Sequence, residues 1–393
     1  MRQLKIVALA VAFTGLLASC GGGETPVKFN QMITFGDSLS DVGTYKVGDI
    51  ATFGGGQFTV NSSAAKNWTE VLAAKYNLPA PCAAQTGFAS IIPGFTGAAT
   101  VNNSACRNYA QGGARVTSTY GPNSKAIQMV SASSAPLGLT ALPVINQINN
   151  HLAAAPGGVF KATELVVVLA GGNDVFLNFN AVGNAPGGGN TATFAAFLAE
   201  WTTPQQAAVA GGTLAVLPGA QAAALQGMTK AGTELAGYVK TLIVAKGAKY
   251  VAVVNLPDVG QTPFAKGFGA TNAGFVSLLS STFNAAVAAG LAGVPEVTIV
   301  DAYTQGRAQV ASPAAFGLTN VTTPACKTGA GTGNPLGLDL PTPTGPSITC
   351  TTASANPNTS NYQFADDVHL TPYGNQLLAD FVFNRLNAVG FPN

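Results

Sequence analysis

The chain has 393 residues, which is enough for one large domain or two of medium size and for a sizeable hydrophobic core. Only 9% of the residues are charged and the formal net charge is +2, so the surface carries small polar groups rather than many ion pairs. No run of Lys or Arg and no GxxxxGKS or GxxxxGKT loop occurs, which excludes nucleic acids and nucleotides as expected partners.

The first residues have the composition of a secretory signal. Arg2 and Lys5 precede an apolar run at 6–17, and small residues follow it. This run is shorter than the about 20 residues that a membrane-spanning helix needs. The sequence therefore predicts a signal peptide over residues 1–19. Without Arg2 and Lys5, the 16 remaining basic residues balance the 16 acidic ones.

The stretch Leu17-Ala18-Ser19-Cys20-Gly21 resembles the bacterial lipobox, in which the cysteine is lipidated and becomes the mature N-terminus. The alternative is an ordinary signal peptide with a cysteine at this place by chance. Acyl chains on Cys20 would anchor the protein to a membrane that it does not cross, with residues 20–29 as a flexible tether. We therefore expect an exported protein of the bacterial cell envelope, lipid-anchored to the outer membrane, or a secreted one.

Short apolar runs alternate with longer helix-compatible stretches along the rest of the chain. The short runs predict strands at Gln31–Phe35, Asn108–Ala110, Leu165–Ala170, Tyr250–Asn255 and Val297–Asp301. The longer stretches predict helices at Ala64–Tyr76, Pro143–Ala154, Gly232–Ala245, Ala273–Ala292 and Pro372–Val389. This alternation indicates a layered α/β fold around a parallel sheet.

Three segments rich in Gly, Pro, Ser or Thr interrupt this alternation, near 82–106, 183–190 and 312–360. Because of this composition we interpret them as loop insertions in a single domain over residues 30–393. The chain shows no internal repeat.

Four cysteines remain once Cys20 is assigned to lipidation, an even number in a chain bound for an oxidising compartment. Three pairings are possible, and the local one joins Cys82 to Cys106 and Cys326 to Cys350. In the chain-entropy description each such loop contributes roughly 3 to 3.5 kcal/mol. Zinc is the rival interpretation, but the chain has no CxxC spacing and only 2 histidines, so we expect no metal.

Polar residues follow the first predicted strand at once, in the sequence Phe-Gly-Asp-Ser-Leu-Ser-Asp at 35–41. The glycine permits a tight turn that exposes the Ser38 hydroxyl where a helix can start, at the carboxyl end of the strand, where α/β sheets carry their reactive groups. The motif is not the GxSxG elbow, because Ser40 stands where its last glycine would be. Such a turn also occurs with a purely structural role, through local hydrogen bonds of Asp37 and Ser38.

The C-terminal sequence Asp-Asp-Val-His at 366–369 supplies what a nucleophilic serine needs. A base must take the serine proton, and a carboxylate must orient and stabilise that base. His369 has Asp366 three residues before it. The other histidine, His151, lies on a predicted amphipathic helix with no carboxylate nearby, and we expect it at the surface. The sequence therefore predicts a triad of Ser38, His369 and Asp366.

Acyl transfer also needs hydrogen-bond donors fixed in advance for the oxyanion of its tetrahedral intermediate. The candidates are the backbone N–H of Ser38, the backbone N–H of Gly113 and the side-chain amide of Asn173. Gly112 is the alternative to Gly113 if the turn shifts by one residue. Glycine pairs are common in ordinary turns, but these ones follow predicted strands and accompany a serine and a histidine.

Four blocks of sequence, in this order, resemble those of the GDSL/SGNH hydrolase family: 35–41, Asn-Tyr-Ala-Gln-Gly-Gly-Ala at 108–114, Gly-Gly-Asn-Asp at 171–174, and 366–369 followed by Leu-Thr-Pro. The resemblance implies Ser38 as nucleophile, Gly113 and Asn173 as oxyanion donors, and the pair Asp366 and His369. It also implies a flavodoxin-like three-layer α/β/α sandwich.

Two further segments, 254–260 and 315–321, are similar to a bacterial branch of this family described as phospholipase, lecithinase or haemolysin-like esterases. The resemblance thus extends over about residues 30–390 and implies a lipase or short-chain esterase. Phe88, Phe95 and Phe316 would suit an apolar acyl group, or form the core of their loops.

Residues and resemblance together predict hydrolysis of a carboxylic ester, from a lipid or a small molecule, through an acyl-enzyme on Ser38 and without a cofactor. A deacetylase of acetylated carbohydrate and a polyester hydrolase use the same triad and stay open. So does a non-catalytic envelope lipoprotein with a binding function. We expect a monomer.

Overall fold

A computed structural model describes residues 27–184, 217–327 and 346–392. The predicted signal peptide over 1–19, Cys20 and most of the tether lie outside the described residues. So do parts of the predicted insertions near 183–190 and 312–360. These features, and the division into one domain over 30–393, therefore stay predictions.

The described part of the chain forms strands β1 (Gln31–Gly36), β2 (Gln85–Phe88), β3 (Ala98–Asn102), β4 (Glu164–Leu169), β5 (Tyr250–Val254) and β6 (Val297–Val300). Its α-helices are α1 (Gly48–Thr52), α2 (Trp68–Lys75), α3 (Lys125–Val130), α4 (Val144–Ala154), α5 (Gly172–Asn184), α6 (Leu217–Tyr238), α7 (Pro263–Gly267), α8 (Ala270–Leu291), α9 (Ala302–Ala311) and α10 (Pro372–Ala388). A π-helical turn at Val239–Val244 extends α6, and short 3₁₀ turns lie at Ala132–Ser134, Pro156–Gly158, Val259–Gln261, Pro313–Phe316 and Pro346–Thr349.

A parallel sheet with strand order β1-β4-β5-β6 organises the molecule, which confirms the predicted α/β fold. At the carboxyl end of β1, Gly36 lies opposite Leu169 of β4. Asn108 makes a single parallel bridge to Thr34, so the strand predicted at 108–110 is reduced to one residue pair beside β1. Strands β2 and β3 form a separate antiparallel pair.

The side chains of the sheet alternate between two hydrophobic cores, as expected for parallel strands with helices on both faces. In β4, Val166 and Val168 belong to a core that also contains residues of α4, α5, α6 and α8. Leu165, Val167 and Leu169 belong to a second core with residues of α2 and α10. This explains why the strand reads as a continuous apolar run in the sequence.

Helix α8 is long and apolar enough to cross a membrane by length and composition. Its residues Leu279, Phe283 and Val287 are buried in the first core. It also packs closely on α6, where a Cβ on Gly232 would come within 2.5 Å of the Phe283 carbonyl oxygen. These contacts are typical of a core helix.

Four of the five predicted strands begin and end within one residue of the observed ones, whereas three predicted helices, at Ala64, Gly232 and Ala273, start 3 to 15 residues away from the observed helix starts. Helix α2 begins at Trp68 and not at Ala64. The reason is a capping box, in which the Asn67 side chain accepts a hydrogen bond from the backbone of the first turn and the Asn67 N–H donates to Glu70 Oε2 at 2.8 Å.

The structure contains disulfides Cys82–Cys106 and Cys326–Cys350, each with a sequence separation of 24. The first braces the edge of the sheet, because Asn108 N donates to the Cys82 carbonyl oxygen at 3.2 Å. The second joins Cys350, which directly follows the short turn Pro346–Thr349, to Cys326.

Candidate active site

The Ser38 hydroxyl lies in a tight turn at the carboxyl end of β1. Gly36 has φ +154°, and a Cβ at this position would come within 2.1 Å of the Leu169 carbonyl oxygen, so glycine is required where β1 and β4 approach. Ser40 N donates to the Asp37 carbonyl oxygen at 3.1 Å and closes the turn. No helix starts directly after Ser38, in contrast to the prediction, because the chain turns back here.

The buried amide of Gln147 holds the backbone just before this turn. Its Oε1 accepts a hydrogen bond from Gly36 N at 2.9 Å, and its Nε2 donates to the carbonyl oxygens of Gly36 and Leu142, both at 2.8 Å. Gln147 comes from α4, 111 residues along the chain. Sequence reasoning missed it, because one glutamine on a helix forms no motif.

The structure brings Ser38, His369 and Asp366 into one chain of hydrogen bonds. His369 Nε2 lies 2.8 Å from Ser38 Oγ, and His369 Nδ1 lies 2.8 Å from Asp366 Oδ2 and 2.9 Å from Oδ1. All three side chains are buried, and Ser38 is the most accessible with 9% exposed. The ring of Phe58 packs on the imidazole with 4.8 Å between ring centres.

The Asp366 carboxylate accepts hydrogen bonds from both sides. Val368 N and His369 N donate to Oδ1 at 2.9 and 2.8 Å. The Ser347 hydroxyl and the Ser347 N–H, the latter at 3.3 Å, donate to Oδ2. Burial raises the pKa of Asp366, but attraction to His369 and the hydrogen bonds of His369, Ser347 and Val368 outweigh burial and lower the pKa to about 2. The carboxylate is therefore ionised across the ordinary pH range.

Asp37, beside Ser38, has the opposite balance. Burial raises its pKa to about 6, although a hydrogen bond from Leu39 N at 3.0 Å and attraction to His369 oppose that shift. At about pH 5 the two buried aspartates of the site therefore differ in charge.

The backbone of the Gly112-Gly113 pair distinguishes the two candidate donors. The N–H of Gly112 donates to Asp41 Oδ2 at 2.9 Å. The N–H groups of Gly113 and Ser38 donate no hydrogen bond within the described residues. Gly113 also has φ +80°, and a Cβ there would come within 2.6 Å of the Pro122 carbonyl oxygen. These observations favour Gly113 as the oxyanion donor.

Asp41, the last residue of the 35–41 motif, had no role in the sequence analysis. It is buried and also accepts hydrogen bonds from Gly43 N at 2.9 Å and Thr44 N at 2.7 Å. Asp41 therefore ties the loop after Ser38 to the loop that carries Gly113.

Asn173 lies in the first turn of α5 and donates from Nδ2 to the Ala114 carbonyl oxygen at 2.8 Å. Arg115 follows Ala114 and Asp174 follows Asn173, and these two residues form a buried ion pair with 3.1 Å between Arg115 Nε and Asp174 Oδ1. The hydrogen bond and the ion pair thus hold the segments that carry Gly113 and Asn173 together. The second hydrogen on Asn173 Nδ2 stays available to a ligand.

A pocket beside Ser38 is lined by the polar side chains of Asp37, Asn173, Asp258, Gln261, Thr262, Gln309, Gln363 and His369 and by a larger apolar surface. The apolar lining includes Leu39, Phe176, Leu256, Val259, Ala302, Val310, Phe364, Leu370 and Leu378. The chemistry of this wall suits an apolar group of a ligand.

The aromatic residues that the sequence analysis considered for acyl binding do not line this pocket. Phe88 and Phe95 are buried in a separate cluster with Tyr45 and Ile50, so they form loop core. Phe316 lies in a 3₁₀ turn, where its carbonyl oxygen accepts a hydrogen bond from Tyr373.

The expectation that His151 lies at the surface is wrong. The side chain is 2% exposed and packs against the rings of Phe160, Tyr109 and Phe35, with 4.5, 5.4 and 5.9 Å between ring centres. Within the described residues neither ring nitrogen has a hydrogen-bond partner. Burial lowers the pKa of His151 to about 4, and repulsion from Arg107 adds to this.

Residues 32–382 match the family described as GDSL-like Lipase/Acylhydrolase. Among curated proteins, the chain is similar to Esterase EstA of Pseudomonas aeruginosa and to Esterase EstA of Pseudomonas putida. It is 34% identical to each over 149 residues, which are 36% of this chain and 20% of each relative. The match thus spans about a fifth of the length of these relatives. The family match confirms the resemblance found in the sequence: the chain belongs to the GDSL-like lipase/acylhydrolase family.

Proposed function

We propose that the protein hydrolyses carboxylic esters through an acyl-enzyme on Ser38. The observation that carries this proposal is the unbroken path from the Ser38 hydroxyl through both nitrogens of His369 to the Asp366 carboxylate, with 2.8 Å at each end. A serine hydroxyl is a weak nucleophile until a base takes its proton, and the position of His369 Nε2, 2.8 Å from Ser38 Oγ, supports His369 as that base.

In the proposed reaction, Ser38 Oγ attacks the ester carbonyl carbon while its proton passes to His369 Nε2. The tetrahedral intermediate expels the alcohol, which takes the proton from His369 and leaves the acyl group on Ser38. Water then attacks the acyl-enzyme with His369 again as base, and the carboxylic acid is released. Asp366, held ionised by its donors, stabilises the imidazolium in both steps.

The oxyanion would be bound by Ser38 N, Gly113 N and Asn173 Nδ2. Two of these have N–H groups that are unused within the described residues, and the third has one amide hydrogen left. Donors fixed before the reaction need no reorganisation as charge develops, and each is worth roughly 10²–10³ in rate.

For the substrate we propose an ester with an apolar group, cleaved by a lipase or short-chain esterase activity. The support is the apolar wall beside Ser38 and the name esterase that both curated relatives carry.

A fluorophosphonate probe tests the nucleophile. It should label the wild-type protein, and Ser38→Ala should lose both labelling and at least about 10⁴-fold in kcat. Ser354→Ala is a matched control, because Ser354 is also buried and, within the described residues, its hydroxyl bonds only to the backbone of Thr351. Absence of labelling in folded wild-type protein would reject the proposal and leave the non-catalytic binding function.

A panel of nitrophenyl esters from acetyl to palmitoyl, run beside acetylated oligosaccharides and a polyester, tests the substrate. The apolar wall leads us to expect the highest kcat/KM on a nitrophenyl ester. Faster turnover of acetylated oligosaccharides or of the polyester would replace the lipase proposal while keeping the triad.

We also propose that the protein is exported and anchored through lipid on Cys20. The lipobox-like sequence and the two disulfides, which form in oxidising compartments, support this. Cells fed radiolabelled palmitate should label the wild type and not Cys20→Ala. Equal labelling of both proteins would contradict the anchor.

A further inference from the structure

Ser347 contacts the proposed triad at the Asp366 carboxylate. Its side chain is fully buried in the turn Pro346–Thr349. Its hydroxyl and its backbone N–H both meet Asp366 Oδ2, and the hydroxyl oxygen lies 3.5 Å from His369 Nδ1. Ser347 therefore contacts both partners of the pair that would activate Ser38.

This contact has a specific electrostatic consequence. Asp366 Oδ2 is shared between the Ser347 hydroxyl and the imidazole of His369, whose Nδ1 lies at 2.8 Å. A hydroxyl that donates to a carboxylate stabilises its negative charge and withdraws part of that charge from the imidazolium. The hydroxyl also fixes the carboxylate in the orientation that meets Nδ1.

Hydrogen bonds from Asn61 and a disulfide hold the turn that carries Ser347 in place. Asn61 Nδ2 donates to the carbonyl oxygens of Ser347 at 3.0 Å and Cys350 at 2.9 Å. The disulfide then joins Cys350 to Cys326, whose N–H donates at 2.8 Å to the carbonyl oxygen of Ala365, the residue before Asp366. The disulfide thus connects the segment that carries Ser347 to the segment that bonds to the residue before Asp366.

We propose that Ser347 is a positioning residue for the His369–Asp366 pair and that the disulfide Cys326–Cys350 holds it there. This inference rests on the proposed function. Within the described residues two other titratable groups interact electrostatically with the pair, Asp37 with His369, and Asp367 with both His369 and Asp366. Neither is altered by the variants below.

The test is the pH profile of kcat/KM for Ser347→Ala on a nitrophenyl ester. Loss of the hydroxyl leaves more carboxylate charge facing the imidazolium, so the acid-side midpoint should move up by about 0.5 to 1 pH unit. At the optimum, kcat should fall by about 10- to 100-fold, as expected when a hydrogen bond to a charged group is removed. Ser347→Thr keeps a hydroxyl and should restore the wild-type midpoint.

Ser354→Ala is again the matched control, since it removes a buried hydroxyl from the same region without touching the pair. Its midpoint should equal that of the wild type. A folded Ser347→Ala protein with the wild-type midpoint would overturn the inference.

A comparison of the two disulfides keeps the test decisive if Ser347→Ala does not fold. Replacing both Cys326 and Cys350 by Ala should move the acid-side midpoint upward, whereas replacing Cys82 and Cys106 should not. The two bonds have the same sequence separation of 24, so loop length is matched. Equal midpoints in both double variants would overturn the role of the Cys326–Cys350 bond.

Fluorophosphonate labelling separates this inference from the proposed function. If Ser38 is labelled in every variant and the midpoints do not differ, only the role of Ser347 is rejected. If Ser38 is not labelled in the wild type, the proposed function itself is rejected.

Discussion

The two histidines of the chain are buried to nearly the same degree and have opposite surroundings. His369 is 3% exposed, with a hydroxyl at one ring nitrogen and a carboxylate at the other. His151 is 2% exposed and sits among the rings of Phe35, Tyr109 and Phe160. Burial alone therefore does not distinguish a proposed base from a core residue, whereas the partners of the ring nitrogens do.

Their different surroundings determine what each ring can do with a proton. Among the described residues no carboxylate compensates a charge on His151 in its apolar site, and burial lowers its pKa to about 4. It is neutral at pH 7 and packs like an aromatic residue. At His369 an ionised Asp366 lies ready to stabilise the imidazolium that the proposed reaction forms.

Replacing each histidine should give the largest contrast. His369→Ala should lower kcat by at least about 10⁴-fold, because Ser38 then has no base. His151→Leu should keep kcat within about threefold of wild type, since a leucine fills the site with an apolar side chain of similar size. Initial rates on a nitrophenyl ester measure both.

Circular dichroism of both variants gives the control for folding. A loss of kcat in folded His151→Leu comparable to that in His369→Ala would break the contrast between the two residues.

Gln147 lies one helical turn before His151 on α4. Its side-chain amide has hydrogen-bond partners, whereas the ring nitrogens of His151 have none within the described residues. Gln147→Leu would leave the buried N–H of Gly36 without its partner, at a cost of about 1–3 kcal/mol, whereas the Gly36 carbonyl oxygen would keep its hydrogen bond from Gln111 N at 3.2 Å. Because these atoms precede the Ser38 turn, we also expect kcat to fall by about 10- to 100-fold from misplacement of the nucleophile.

Denaturant unfolding and kcat are measured together for Gln147→Leu and for Asn149→Leu, an exposed position on the same helix. Asn149→Leu should change neither. Reduced stability of Gln147→Leu with an unchanged kcat would show that the amide supports the fold without positioning Ser38.

The sheet could be predicted closely because strands buried on both faces are continuous apolar runs, as at Leu165–Ala170. The proposed triad could be predicted because Ser38, Asp366 and His369 lie in short motifs. Asp41 and Gln147 could not be, since the residues they hold lie 71 and 111 positions away and their polar side chains form no local pattern.

Ser347 was hidden for a different reason. It lies at the end of a Gly- and Pro-rich insertion, where neither periodicity nor a motif marks any residue. The disulfide Cys326–Cys350 and the hydrogen bonds of Asn61 help to bring it to Asp366.

The burial of His151, in contrast, could have been predicted from the sequence. Val144, Ile148 and His151 stand at positions i, i+4 and i+7 of one helix and so share a face, and all three are buried. The polar neighbours Asn149 and Asn150 suggested a surface, but at 3.6 residues per turn they point elsewhere.

The pH dependence of stability should show the smallest effect and tests the contrast without any catalytic assay. A histidine in the unfolded chain titrates at 6.5 and folded His151 at about 4. Between these values the unfolded state binds the extra proton, so stability falls as pH falls from 6.5 towards 4. The full shift corresponds to about 3 kcal/mol.

His151→Leu lacks this contribution. The free energy of unfolding of the variant relative to wild type should therefore rise by about 2 kcal/mol between pH 7 and pH 4.5. Asp37 and the other carboxylates titrate in both proteins and cancel in this difference. A difference that does not change with pH would mean that His151 takes up its proton in the folded state as readily as in the unfolded chain, and the apolar aromatic site described for it would be wrong.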